Sequence, residues 1–322
     1  MVDLQQQITD PQVGGRTIIT IVNSITPAGM ALNEFVSWRA RNEPSESHVV
    51  ISLAVIPDAP LKLLDLPDTV KVIPGSGDLR SFARTVRSTL QAAKDSTNRS
   101  VVHLHYPRSG VLYHTVRPAL AGRIPVLFTV HSTFSGYRPR TKLISALTCI
   151  RSDHVTFVSH AAAAAFPDRL RRACSCTFNV IPNGVDMERV DATLADRGAR
   201  LEPPAPIVGS GMGRFEIVHV GWFRSQEKGH AFLLDVIRTV PGIGLTFVGD
   251  GPFRASIEQR VQSEGLSDRV RFTGLLPRDR VYEELAAADL LVSPSLREGL
   301  PIAVLEAMAV GKPVLLSDIP PH

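Results

Sequence analysis

Short apolar runs rich in valine, isoleucine and phenylalanine alternate along the chain with longer segments at helical spacing, the pattern of parallel sheets flanked by helices. The runs TIITIVN, HVVISLAVI, VKVIP, SVVHLHY, PVLFTVH, DHVTFVS and TFNVIPN predict the strands of a first domain. DLRSFARTVRSTLQAAK predicts a helix among them, and the alanine run 161–165 reads as plain helix. After Asn183 the alternation breaks, and charge, proline and glycine dominate as far as Arg214, the signature of a linker.

A second alternating series follows. FEIVHVG, IGLTFVGD, RVRFTG, DLLVSPS and PVLLS predict strands; HAFLLDVIRTV, the residues from Phe253, RDRVYEELAAA and the residues from Pro301 predict helices. The organisation expected is a polar segment at 1–16, a doubly wound α/β domain at 17–185, a linker at 186–214 and a second doubly wound domain at 215–322, the two facing each other across a cleft. In such sheets ligands bind beyond the carboxyl ends of the strands, so the loops after strands are where chemistry is sought.

Composition narrows the class. A chain of 322 residues exceeds one ordinary core, and 44% hydrophobic residues suffice for two. A formal net charge of +4 is too mild for a dedicated nucleic-acid binder. The three cysteines have no Cys-x-x-Cys or Cys/His metal spacing, which fits a reducing compartment. The first apolar run is too short for a signal peptide, and no stretch is long enough to span a bilayer. The expected location is the cytoplasm, with contact at the inner face of the membrane.

The stretch SPSLREGLPIAVLEAMAVGKPV carries the strongest chemical signal. Pro301 suits the first position of a helix, which leaves Glu298 in the loop before it and puts Glu306 in the second turn. Over a fully helical interval eight residues rise about 12 Å and rotate about 80° off one face, so the two acids cannot share a proton. They address different parts of an elongated ligand. Between them, the free N–H groups of the helix start near Gly299 and Leu300 offer an anion site. Carboxylate, anion site, carboxylate suits a nucleotide sugar. The alternative at this point is that Glu298 caps the helix and Glu306 faces solvent.

EGLPIAVLEAMAVGKPV also resembles the Glu, seven residues, Glu segment of glycosyltransferase family 4, retaining enzymes with two Rossmann-like domains in the GT-B arrangement. VIPNGVD, VGWFRSQEKG and LTFVGDGPFR match that family in the expected order, and the resemblance runs from about residue 17 to the end. It implies that Glu298 contacts donor-sugar hydroxyls, Glu306 the ribose and Lys228 the donor diphosphate. The family places an arginine directly after the glycine; here Gly221 is followed by Trp222, and the candidate arginine is Arg224. In LFTVHSTF the resemblance makes His131 a residue lining the catalytic cleft. Gly29, after the first strand, is the candidate for close approach to the donor phosphate or the acceptor, although the family often has a glycine pair where this chain has Pro27, Ala28 and Gly29.

Other motifs fail on context. His103 and His105 alternate on a strand without a third ligand at a recognisable spacing. GSGMGR precedes a strand, so it is linker and not a dinucleotide fingerprint. There is no Asp-x-Asp, and neither a metal nor another cofactor is expected. From Pro107 to Ser152 the chain has Arg108, Arg117, Arg123, Arg138, Arg140, Lys142 and Arg151 and no acidic residue. That face suits anionic lipid headgroups or a diphosphate-bearing acceptor, or simply serves solubility.

The function expected is transfer of a hexose from a nucleotide diphosphate sugar to a glycan or lipid-linked acceptor with retention of configuration. The competing expectations are a weak or inactive sugar-nucleotide-binding fragment and a GT-B sugar-nucleotide epimerase. Family members continue past the stretch that ends here in SDIPPH, so the second domain is expected to be truncated.

Overall fold

The computed structural model describes residues 15–24, 30–54, 66–96, 99–117, 124–199, 214–224 and 226–322. It divides into two units, Met1–Asn183 and Gly184–His322. The polar residues 1–14 and the candidate Gly29 lie outside the described residues.

The first unit is built on one sheet of seven strands: β1 (Arg16–Val22), β2 (Glu46–Ser52), β3 (Val70–Ile73), β4 (Arg99–Leu104), β5 (Val126–Val130), β6 (His154–Phe157) and β7 (Thr177–Val180). Their order is β3-β2-β1-β4-β5-β6-β7, and every pairing is parallel. Helices α1 (Met30–Asn42), α2 (Leu79–Asp95), α3 (Pro107–Val116), α4 (Pro139–Arg151), α5 (His160–Ala164) and α6 (Asp168–Ala173) fill the crossovers. Central strands are covered on both faces, so β1 is buried at every position after Arg16; this is why it reads as an unbroken apolar run.

Two local differences from the pattern have physical causes. Strand β2 begins at Glu46, before its apolar run, because Arg39 of α1 neutralises the buried Glu46 carboxylate through hydrogen bonds of 2.7 and 2.5 Å. Asp78 does not belong to α2 but caps it, its Oδ2 accepting from the Ser81 N–H at 2.7 Å.

The second unit has a sheet of five strands: β8 (Phe215–Val220), β9 (Ile243–Val248), β10 (Val270–Gly274), β11 (Leu290–Ser293) and β12 (Val314–Leu316), ordered β10-β9-β8-β11-β12 and again parallel. The stretch read as linker, 186–214, is structured in its first half. It forms α7 (Met187–Ala199), whose start is capped by Asp186 Oδ1 accepting from the Arg189 N–H at 3.1 Å. Helix α7 buries Val190 completely and packs on α10 (Arg278–Ala287), tied by the 2.6 Å ion pair of Arg189 with Asp279. One buried apolar side chain and a cross-helix ion pair leave little periodicity to read in the sequence. Residues 200–213 lie outside the described ones.

Helices α8 (His230–Thr239) and α9 (Arg254–Ser263) supply a core with Phe223, Leu234, Phe247 and Ile257 on one side of the second sheet. Helices α10 and α11 (Ile302–Ala309) supply Val281, Leu285, Val304 and Ala307 on the other. The strand order reverses between β1 and β4 in the first unit and between β8 and β11 in the second. These reversals leave a crevice at the carboxyl ends of the strands where no crossover covers the sheet.

Candidate functional site

In the second unit the loops after β8 and β11 meet at the strand-order reversal. Lys228 closes a 3-10 turn, Gln226–Lys228, and its Nζ donates to Glu298 Oε1 at 2.6 Å. The side chains of Lys228 and Glu298 are 32% and 10% exposed, so this pair is better shielded than a surface salt bridge. Beside it Arg297 pairs with Glu227, and the Leu296 N–H donates to the Glu227 carbonyl at 2.8 Å. Gly229 completes the clamp: its φ is +78°, and a Cβ there would meet Pro294 Cγ at 2.6 Å.

The β8 loop is anchored from below. Phe223 is fully buried and stacks on His230 with ring centroids 3.9 Å apart. His219 Nδ1 bonds the Val292 carbonyl at 2.8 Å, joining β8 to β11. Burial lowers the pKa of His219 to about 4 and of His230 to about 3, so both are neutral braces. The β9 loop packs so closely on this turn that a Cβ on Gly249 would lie 2.1 Å from the Gly221 carbonyl oxygen. Arg224 sits on the same turn with an exposed side chain. The structure therefore brings Lys228 and Glu298 into contact, and leaves Arg224 exposed on the loop that precedes Lys228.

Pro301 stands at the N-cap of α11, one place earlier than its residue type suggests, with no side-chain cap on the helix start. Glu298 is not the cap. Its carboxylate is turned to Lys228, and at the start of α11 the Val304 and Leu305 N–H groups donate to the Pro301 carbonyl at 3.2 and 3.4 Å, leaving the positive end of the helix dipole beside Gly299 and Leu300.

Glu306 does not face solvent. It is 0% exposed, and its Oε1 accepts from Arg278 Nη1 at 2.5 Å. Arg278, at the start of α10, is itself only 8% exposed. No local pattern points to this partner, because Arg278 lies 28 residues upstream at an ordinary helix start. Burial of a carboxylate demands a counter-charge, and that demand appears only once α10 and α11 are packed together.

In the first unit His105, just past β4, and His131, just past β5, are joined by a 2.9 Å hydrogen bond between His105 Nδ1 and His131 Nε2. His103 lies beside His105, their ring centroids 3.9 Å apart and their planes tilted by 41°, and its Nε2 bonds Thr129 Oγ1 at 2.7 Å. Burial lowers the pKa of His131 to about 4 and of His103 to about 3, and holds His105 well below the ordinary histidine value. His131 is thus a neutral hydrogen-bonding group. The partner that sequence spacing did not find for His105 is His131, joined ring to ring by a proton. Among the described residues no group of three or more His, Cys, Asp or Glu is arranged to hold a metal ion.

Two family profiles match the chain, one mostly within each unit. Residues 44–189 match Glycosyltransferase Family 4, and residues 214–322 match Glycosyl transferases group 1. The chain is 32% identical over 232 residues to the 2-deoxystreptamine glucosyltransferase of Streptomyces kanamyceticus, covering 66% of this chain and 57% of that protein. It is 27% identical over 240 residues to the UDP-Gal:alpha-D-GlcNAc-diphosphoundecaprenol alpha-1,3-galactosyltransferase of Escherichia coli, covering 68% of this chain and 58% of that protein. The matched part thus spans little more than half the length of these curated relatives. Among solved structures, HepE of Anabaena in complex with UDP-glucose superposes with a TM-score of 0.71 at 20% identity, over 95% of this chain and 81% of that one. The sucrose-phosphate synthase of Thermosynechococcus elongatus superposes with a TM-score of 0.68 at 20% identity, over 94% and 82%. These likenesses show the GT-B fold.

Proposed function

The chain belongs to glycosyltransferase family 4, and we propose that it moves a hexose from a nucleoside diphosphate sugar to a hydroxyl of a glycan or lipid-linked acceptor, with retention of configuration. The observation that carries the proposal is the Lys228–Glu298 contact beside the uncapped start of α11. It sets a cation and a carboxylate at a strand-order reversal beside the positive end of a helix, the chemistry that a sugar diphosphate requires.

In this reading Lys228, with Arg224 swinging in from its exposed position, takes the diphosphate, and the positive end of α11 beside Gly299 and Leu300 favours its charge. When the phosphates claim Lys228, Glu298 is released to accept hydrogen bonds from the sugar hydroxyls. Glu306 reaches the ribose only if donor binding draws it away from Arg278; otherwise it braces the floor of the site. In the first unit His131, a neutral hydrogen-bonding group, is the proposed catalytic residue, and Gly29 remains a candidate for backbone approach. The rate enhancement comes from stabilising negative charge on the departing diphosphate. Cationic side chains and helix N–H groups do this without a divalent ion, so we propose a reaction that needs no metal and no cofactor.

Relatives support the substrate classes. HepE was solved with UDP-glucose, and the Escherichia coli relative is named for a diphosphoundecaprenol-linked acceptor. A lipid-linked acceptor would place the chain at the inner face of the membrane, and no described helix is long and apolar enough to cross one.

The test is a calorimetric panel of nucleoside diphosphates and their sugars, followed by nucleotide release with and without acceptor and NMR of the product anomer. Acceptor-dependent release with the donor's configuration kept supports the proposal. Sugar isomerisation without acceptor would establish the epimerase instead, and binding without turnover the inactive fragment.

A further inference from the structure

Helix α4 turns an apolar stripe outward. Leu143, Leu147 and Ile150 recur at i, i+4 and i+7 and are 61%, 36% and 43% exposed. The opposite face of the helix, with Ser145, Thr148 and Cys149, is the buried one. An ordinary surface helix shows the reverse, apolar residues inward and polar ones outward. Exposed apolar residues scattered singly need no explanation, but a stripe along one helix does.

Charge says what the stripe meets. At 100° per residue, Arg140 and Arg151 fall on the same outward arc, on one flank of the stripe, and both are exposed. Arg138 is exposed at the N-cap, and Arg108 is exposed at the start of the neighbouring α3. No carboxylate stands between Pro107 and Ser152 to offset them. The next one, Asp153, is turned inward, its Oδ2 accepting from the Val126 N–H at 2.9 Å. Two copies of the chain meeting through this face would bring unbalanced arginines together. An anionic surface with an apolar interior satisfies both halves of the pattern.

We propose that the outer face of α4 seats the chain on an anionic lipid bilayer, with Leu143, Leu147 and Ile150 entering the boundary between headgroups and acyl chains and Arg138, Arg140 and Arg151 meeting the lipid phosphates. This deepens the proposed use of a lipid-linked acceptor and rests on that reading for its purpose, but the docking surface is testable without it.

The experiment is co-sedimentation of the purified chain with vesicles of phosphatidylcholine alone and of phosphatidylcholine mixed with phosphatidylglycerol, at low and high salt. Binding is expected to the mixed vesicles only and to weaken with salt. The combined variant Leu143→Ser, Leu147→Ser, Ile150→Ser should lose about tenfold or more in partitioning, and Arg140→Glu with Arg151→Glu should abolish the preference for anionic lipid. Leu147→Trp should shift its fluorescence to the blue on binding. Circular dichroism and nucleotide-sugar calorimetry on the same variants should match the parent, since the changed positions are exposed and outside the site. Equal vesicle binding by parent and triple serine variant would overturn the proposal. So would a parent that ignores anionic vesicles, including one that dimerises through this face. Failure to bind any nucleotide sugar would sink the proposed function instead and leave the vesicle result standing.

Discussion

Lys228 Nζ holds Glu298 Oε1 at 2.6 Å across 70 residues of sequence, so the cation and the carboxylate of the candidate donor site partly neutralise each other before any ligand arrives. A diphosphate must therefore compete with Glu298 for Lys228. In the proposed reaction the pair acts as a latch whose opening would supply a cation to the phosphates and a carboxylate to the sugar.

Replacing Glu298 by Gln leaves the shape of the latch and removes its charge. Affinity for the bare nucleoside diphosphate should stay level or rise by up to about fivefold, the worth of about 1 kcal/mol for a partly shielded pair. Discrimination among nucleotide sugars should fall, and transfer should slow by at least about tenfold. Calorimetry with nucleoside diphosphate against its sugar reads the first two, and nucleotide release reads the third. A large loss of nucleoside diphosphate affinity would show that Glu298 orders Lys228 and does not restrain it.

Arg278 and Glu306 form the most deeply buried ion pair of the second unit's described residues, with side chains 7% and 1% exposed. Arg278→Ala leaves a charge buried without its partner and should cost about 3–5 kcal/mol of stability in denaturant unfolding. Replacing both partners by apolar residues of similar volume should recover much of that loss. If the single substitution is harmless, Glu306 is hydrated in solution and closer to a ligand-binding role than its buried position indicates.

The His105–His131 bond fixes a tautomer. His105 Nε2 is buried and has no hydrogen-bond partner among the described residues. A bare ring nitrogen is tolerated there more readily than an orphaned N–H, which places the His105 proton on Nδ1. His131 then accepts at Nε2 and carries its own proton on Nδ1, ready to donate to a ligand oxygen. Nitrogen-15 NMR of the imidazoles should find both rings protonated at Nδ1, and His105→Phe should release His131 to a mixture of tautomers. A His131 protonated at Nε2 in the parent would reverse the assignment.

Acid should weaken the fold in a defined window. Burial lowers the folded pKa of His131 and His219 from 6.5 to about 4, and of His103 and His230 to about 3. The unfolded chain therefore takes up protons first, and stability present above about pH 6.5 is lost progressively as the pH falls towards about 4 and below. Unfolding free energy should therefore rise with pH through that range, before most carboxylates titrate. His219→Phe should be less stable at neutral pH, where the bond to the Val292 carbonyl is missing, yet show a shallower slope. An unchanged slope would mean that His219 is already accessible to protons in the folded state.

The order of strands and helices was legible in the chain because parallel strands covered on both faces must be nearly continuous apolar runs, as β1, β5 and β9 are. The Glu298 loop and the helix after it were legible for a related reason: a proline before an apolar helical stretch permits few local conformations. Periodicity could not show α7, whose buried contact is Val190 and whose hold on α10 is one ion pair. Nor could it find the partners of Glu298, Glu306 and His131. Local backbone preference and binary patterning act over a few residues, so they are written into short segments. Lys228, Arg278 and His105 become partners only when distant strand ends and helices are packed side by side, and a buried charge or ring nitrogen finds its counterpart in three dimensions.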